Sequence, residues 1–205
     1  VPRVVDAAVR RRDIAEAVYR VIERDGLGEA TLGTVAAEAG LAIGSVRHYV
    51  GSHRDLLRLT LATLADDVRA RLAERGRRLL GGAEVPEGAE RLEALVEFLG
   101  ELLPLDPRRQ TEAVVWIAFG EAARIDPELR PDLQDLDDRL RALLRRVLNR
   151  VRPAGIGTAN RLDALRLAAL LNGLALEVVQ VPGRHDPELV RRLLRRELGA
   201  VLGGC

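Results

Sequence analysis

Lysine is missing from this 205-residue sequence; all 32 basic residues are arginine. That removes chemistries that need a side-chain amine, among them the P-loop lysine on a phosphate, Schiff-base and pyridoxal catalysis, and SxxK hydrolases. Methionine is absent as well, even at position 1. The expectation is a GC-rich genome that avoids Lys and Met codons, with Val1 read literally from a GUG start. The one cysteine, Cys205, excludes a disulfide framework or a cysteine-based zinc knuckle and suits a reducing compartment. Serine occurs only at Ser45 and Ser52, neither within GxSxG. His48, His53 and His185 lack a second histidine or carboxylate at HExxH spacing. No metal site, no cofactor and no enzymatic activity are therefore expected. No apolar run approaches the ~20 residues of a membrane span, and no signal-peptide stretch opens the sequence. A soluble, cytoplasmic protein with no membrane partner is expected. The net charge is +1, so any nucleic-acid surface must be a local patch rather than a global field.

Alternating strand patterns are also missing, and helical periodicity fills the chain between Gly and Pro punctuation. The first helix is predicted from about Arg10 to Arg24, with Ile14, Ala17, Val18, Val21 and Ile22 on one face. A second, short helix spans Leu32–Ala39 with Thr31 as N-cap, and a third spans Ile43–Val50. Ser52-x-x-Asp55 forms a capping box for a fourth, reaching Leu80 before Gly81-Gly82. Five more follow, at about 89–103, 107–124, 127–152, 159–180 and 187–202, the third with a break near Pro131 as the alternative. Asp-Pro pairs at 106–107, 126–127 and 186–187 open three of them. The fold class is all-α, about nine helices, with three short ones leading into a larger bundle.

Residues 31–50 have the spacing of a helix-turn-helix. Val35, Ala36 and Ala39 offer a small apolar surface to a crossing helix. Gly40 supplies a positive φ for the turn, and Leu41 plugs the gap. On the third helix Val46 and Val50 face inward, which leaves Gly44, Ser45, Arg47 and His48 outward with Tyr49 near the boundary. Small residues at the leading end allow close approach to a DNA groove. There Arg can reach guanine or phosphate, and Ser, His and Tyr can donate to phosphates. The same pattern also fits a helical hairpin inside an ordinary core.

Here the sequence resembles the DNA-binding domain of the TetR family. The matching elements are the apolar first helix ending at Gly26-Leu27, Thr31, Val35-Ala36-x-x-Ala39-Gly40-Leu41, Gly44, His48-Tyr49, and Ser52 with Asp55-Leu56-Leu57. Val4-Val5-Asp6 and Gly44-Ser-Val-Arg-His-Tyr49 are particularly similar to the BetI-like branch. The likeness extends to Trp116 with Ala118-Phe119, to Asp126-Pro127-Glu128-Leu129, and to Asn172-Gly173-Leu174. The resemblance implies a helix-turn-helix DNA-binding domain at 8–68 and a ligand-binding and dimerisation domain at 69–205. It also implies a homodimeric, ligand-responsive repressor acting on a palindromic or pseudo-palindromic double-stranded operator near its own or neighbouring genes. Thr31, Gly44, Ser45, Arg47, His48, Tyr49 and His53 are carried over as the DNA face. The chain departs from the family pattern at four positions: Ala42 replaces a capping Ser or Thr, Arg47 an aromatic, Val50 a Phe, and His53 a phosphate-contacting Lys. These departures bear on which operator is read. A helical small-molecule-binding or scaffold protein whose motif has lost DNA affinity is the alternative.

Arg10-Arg11-Arg12 could grip phosphates as an N-terminal arm, or form a solvated tail. Phe98, Gln110, Trp116, Phe119, Asn172 and Glu177 are candidates for an effector pocket holding a small, mainly apolar molecule. A ligand between the fourth helix and the Trp116-Phe119 helix would tilt the former. Leu167, Leu171, Leu174, Val178, Leu193 and Leu194, on the last two helices, are candidates for the dimer seam. Gly155-Ile-Gly157 has no strand before it and reads as a loop.

Overall fold

In the computed structural model of the chain, the described residues are 6–81, 86–152 and 157–203. Val4-Val5, Gly82, Gly155-Ile156 and Cys205 lie outside them. The described residues form nine α-helices and no strand: α1 (Ala7–Asp25), α2 (Leu32–Glu38), α3 (Ile43–Val50), α4 (His53–Gly76), α5 (Gly88–Gly100), α6 (Pro107–Ile125), α7 (Arg130–Val151), α8 (Gly157–Gln180) and α9 (Pro187–Gly203). Asp6 caps α1 by accepting from the Ala8 amide at 2.9 Å, which starts the helix three residues before the predicted Arg10. Asp126-Pro127 opens a turn rather than a helix, Asp126 accepting from the Glu128 amide at 2.9 Å. Pro131 instead sits in the first turn of α7, where its missing N–H costs nothing. α4 gives way to a π-turn over Arg77–Gly81. It does so where a Cβ on Gly76 would lie 2.9 Å from a Phe98 ring carbon.

Contacts gather the chain into two compact units. One comprises the chain up to Asp67 together with Val114–Leu133. Its core takes Ile14, Val18 and Ile22 from α1, Val35 and Ala36 from α2, Val46 and Val50 from α3, and Leu56, Leu61 and Leu64 from α4, with Val115, Phe119 and Leu129 also buried. The other comprises Val68–Ala113 and Gln134 onward. There Leu95, Phe98 and Leu99 of α5 join Leu144 and Leu148 of α7, Leu167 and Leu171 of α8, and Leu194 and Leu198 of α9 in one cluster. Arg139–Asp135 and Arg141–Asp137 pair one turn apart along α7, at 2.6 and 2.5 Å, as its charge pattern suggests.

This core takes up residues expected in the dimer seam. Leu167, Leu171 and Leu194 are almost wholly buried in it, and Leu174 and Val178 pack against it part-buried. Their helical spacing serves packing within the chain. Of the six, only Leu193 is exposed, at 40%.

The turn between α2 and α3 closes as a Schellman motif. The Gly40 amide donates to Ala37 at 3.2 Å and the Leu41 amide to Ala36 at 2.9 Å, with Gly40 at φ +64°. No atom lies within 4 Å of a Cβ built on Gly40 or on Gly44, so the two glycines differ in backbone conformation alone. Gly40→Ala is expected to lower the unfolding free energy by about 1–2 kcal/mol through the left-handed φ. Gly44→Ala, inside a helix, is expected to raise it by ~0.5–1 kcal/mol. Urea unfolding of the two variants checks this, and a shift of the same sign in both would contradict it.

Candidate nucleic-acid interface

α2 has only seven residues and α3 eight, so their ends matter as much as their middles. Thr31 and Thr34 form a reciprocal capping box. The Thr34 amide donates to the Thr31 hydroxyl at 3.2 Å and the Thr31 amide to the Thr34 hydroxyl at 3.0 Å. The Thr34 hydroxyl also bonds the Glu29 carbonyl. Thr31, placed on the DNA face by resemblance, thus also fixes where α2 starts. Ala42 gives α3 no side-chain cap. At the other end of α3, the Gly51 amide donates to the Arg47 carbonyl at 2.8 Å and Arg11 Nε to the Tyr49 carbonyl at 3.2 Å.

Along α3, Val46 and Val50 turn into the core. Ile43, Gly44, Arg47 and His48 are exposed, while Ser45 and Tyr49 are half-buried on the shoulders. The His48 and Tyr49 rings meet edge to face at 5.2 Å. The sequence reading missed Ile43, because three residues before Val46 is a position that helical spacing assigns to the core. Only burial shows otherwise. His53 is exposed, and its Nε2 lies 3.1 Å from the Ala30 carbonyl, joining the start of α4 to the lead-in of α2. That contact ties the His53 ring into the fold.

The arginines around this helix are largely spent. Arg10, Arg11 and Arg12 lie within α1 rather than in a free arm. Arg10 pairs with Asp13 at 3.6 Å and Arg12 with Asp67 at 2.5 Å. Arg20 and Arg24 converge on Glu38 at 2.7 and 2.9 Å, linking α1 to α2. The Arg20 N–H, followed by that of Arg24, holds the Glu38 carboxyl below its ordinary value. Arg58 bonds Asp132 at 3.0 Å and the Glu128 carbonyl at 3.3 Å, and Arg54 pairs with Glu128 at 3.4 Å. These contacts join the first turns of α4 to the α6–α7 turn. Arg130 in turn caps the end of α6 through the Ala123 and Arg124 carbonyls, both at 3.1 Å. Among the described residues of this unit, Arg47 alone of the arginines makes no side-chain hydrogen bond or ion pair.

The effector candidates are spread over both units. Half-buried Trp116 and buried Phe119 belong to the unit of the helix-turn-helix. Phe98 is core of the other unit, where Gln110, Asn172 and Glu177 are exposed. Glu177 faces His185 at 3.4 Å. That unit also holds a cleft of about 340 Å³ lined by Arg75, Arg109, Arg191, Arg195, Glu93, Glu97 and Glu101 over Val96, Gly100 and Leu105. None of the six candidates lines it. Its residues come from α4, α5, α6, α9 and the turn between α5 and α6, so no local spacing in the sequence draws them together. The described residues hold no cluster of three or more potential metal ligands, and none of their helices is long and apolar enough to cross a membrane.

Residues 88–203 match the family described as BetI-type transcriptional repressor, C-terminal. The chain is 28% identical over 204 residues to the HTH-type transcriptional regulator PksA of Bacillus subtilis, covering 98% of this chain and 93% of the relative. It is 30% identical over 185 residues to BetI of Stenotrophomonas maltophilia, covering 90% and 89%. Among solved structures, a transcriptional regulator from Rhodococcus sp. Rha1 superposes with TM-score 0.80 at 31% identity, over 95% of this chain and 96% of that one. The multidrug binding protein EbrR complexed with malachite green superposes with TM-score 0.65 at 28% identity, over 92% and 97%.

The start of α4, which follows α3 directly, is held by the predicted capping box. The Ser52 hydroxyl and amide donate to Asp55 Oδ2 at 2.6 and 3.1 Å, and the Asp55 amide donates back to the Ser52 hydroxyl at 3.1 Å. The Ser52 hydroxyl, then its backbone N–H, pulls the Asp55 carboxyl below the usual aspartate range. A lowered folded-state pKa contributes stability above the unfolded value of about 3.9 and loses it as pH falls through the folded one. Asp55→Asn is therefore expected to melt below wild type at pH 7, with the gap closing on acidification below about pH 4. Thermal unfolding followed by circular dichroism at several pH values checks this; a gap independent of pH would contradict it.

Proposed function

The chain belongs to the TetR family of transcriptional regulators, as a DNA-binding regulator whose C-terminal part is of the BetI type, and from that premise we propose that it works as a homodimeric, ligand-responsive repressor. Each copy lays α3 in the major groove of one operator half-site. The observation that carries this reading is the exposed face of α3, where Arg47 and His48 stand beside Gly44 on a surface whose other arginines are paired. Arg47 contacts guanine or phosphate, and Thr31, Ser45, His48, Tyr49 and His53 contact phosphates. In this reading residues 8–68 are the DNA-binding domain and 69–205 the ligand-binding and dimerisation domain, within a cytoplasmic protein with no catalytic role.

The dimer seam is proposed along the leucines that the chain leaves exposed on α8 and α9: Leu162, Leu165, Leu176 and Leu193. Four helices, two from each copy, would bury them. The effector is a small, mainly apolar molecule. Support comes from the malachite green complex of EbrR, 28% identical, and from half-buried Trp116 on α6. Arg54 and Arg58 bind the α6–α7 turn to α4, so a ligand that shifts α6 would pull on α4 and change the pose of α3. It acts by binding one arrangement better than the other, for typical couplings by ~1–3 kcal/mol.

Two experiments test this. In fluorescence anisotropy with duplex DNA from upstream of its own gene, the Arg47→Ala, His48→Ala double variant should bind at least tenfold more weakly, as expected for ~1–3 kcal/mol per lost base contact. Undiminished binding would remove α3 from the interface. In sedimentation velocity, Leu165→Glu combined with Leu193→Glu should give folded monomers. Both side chains are exposed within the chain, so an intact dimer would move the seam elsewhere.

A further inference from the structure

We propose that Ile43 reads sequence: it receives the 5-methyl group of a thymine in the operator, within about two steps of the Arg47 contact. This rests on the proposal that α3 lies in the major groove. Ile43 is the first residue of α3 and is 50% exposed. Its neighbours leave half of it uncovered. Gly33 on α2 has no side chain, and a Cβ there would sit 3.9 Å from Ile43 Cδ1. Gly44 beside it has open space where a side chain would project. The core face of α3 is already formed by Val46 and Val50, so Ile43 shares the exposed arc with Gly44, Arg47 and His48. A branched apolar side chain thus stands at the N-terminal end of the recognition helix, where such helices approach base edges.

The chemistry of the groove selects the occupant. Thymine alone presents an apolar group there, its 5-methyl, whereas guanine, cytosine and adenine present donors and acceptors. Phosphate offers nothing that favours isoleucine over a polar residue, and the sugar's C–H groups are the same at every base, so only the thymine methyl makes such a contact depend on sequence. Spacing fixes the neighbour. Ile43 and Arg47 are four residues apart, about 6 Å along the helix at 1.5 Å per residue. Bases on one strand rise ~3.4 Å. The thymine should therefore fall within about two steps of the Arg47 contact.

The full-length protein is first used to select duplexes from a random library. Each thymine of the selected half-site is then replaced in turn by deoxyuridine, which lacks only the methyl, and affinity is measured by anisotropy. One replacement is expected to weaken wild type about fourfold per half-site, the worth of one buried methyl-sized group. Ile43→Ala and Ile43→Gln should show no further loss on that replacement, while Arg47→Ala should still show it. Melting curves establish that the variants fold. If no replacement weakens wild type, or the loss persists unchanged in both Ile43 variants, the inference fails while DNA binding stands. If no sequence is selected at all, the DNA reading fails and takes this one with it.

Discussion

α2 and α3 are too short to exist by themselves, and everything this protein does on DNA depends on what holds them. Isolated helices below ~12–15 residues are marginal in water; these have seven and eight. Their orientation is therefore a property of packing, not of propensity. Val35, Val46 and Val50 are buried where α1, α2 and α3 pack on one another, and side chains of this size contribute ~1.5–3 kcal/mol each. The Gly40 turn, the threonine capping box and the Arg20–Glu38–Arg24 bridge contribute less individually, since exposed ion pairs are worth about 0–1 kcal/mol. What they supply is geometry. They set the angle at which the exposed arc of α3 is presented, and burial then makes that angle rigid.

The charge distribution follows a similar division. With net charge +1, long-range attraction to DNA is weak, and non-specific affinity grows with the number of phosphates neutralised. Around α3 the arginines that could supply such contacts pair with carboxylates or bond carbonyls. Arg47 is the exception, and it stands on the face already shaped for close approach by Gly44. In the proposed reading, such a surface relies on short-range contacts with base edges more than on a positive field. An apolar reader at position 43 is consistent with that balance.

Much of the fold was legible in the sequence because helix ends carry local chemistry. Thr31, Gly40, Ser52-x-x-Asp55 and Asp106-Pro107 all act where their residue types place them. Errors arose where a tertiary contact overrides local chemistry. Asp126-Pro127 forms a turn stitched to α4 through Arg54 and Arg58, so α7 starts later. After Gly76, which lies close to the Phe98 ring, α4 gives way to a π-turn rather than continuing to Leu80. Arg10, Arg11 and Arg12 read as a free basic run until Asp13, the Tyr49 carbonyl and Asp67 are placed beside them. For the site, periodicity gives the phase of a helix but not which of two apolar surroundings a residue meets. Leu167, Leu171 and Leu194 have the spacing of a seam and turn out to fill their own core. Ile43 has the spacing of a core residue and is left in water.

The proposed dimer also explains how so small a reading surface could suffice. One α3 offers one unpaired arginine, one exposed isoleucine and a few hydroxyl and imidazole donors, few contacts for a stable complex by themselves. Joining two copies turns the second half-site into an intramolecular event, which raises avidity ~10²–10⁴-fold without any new contact. The same arithmetic sets the scale of the switch. An effector need not break a single contact between α3 and its bases; it needs only to favour a spacing at which both copies cannot engage together. A coupling of ~1–3 kcal/mol is worth about 5–150-fold, so an effector acting through a link as short as Arg58–Asp132 removes part or most of that avidity gain at both half-sites at once.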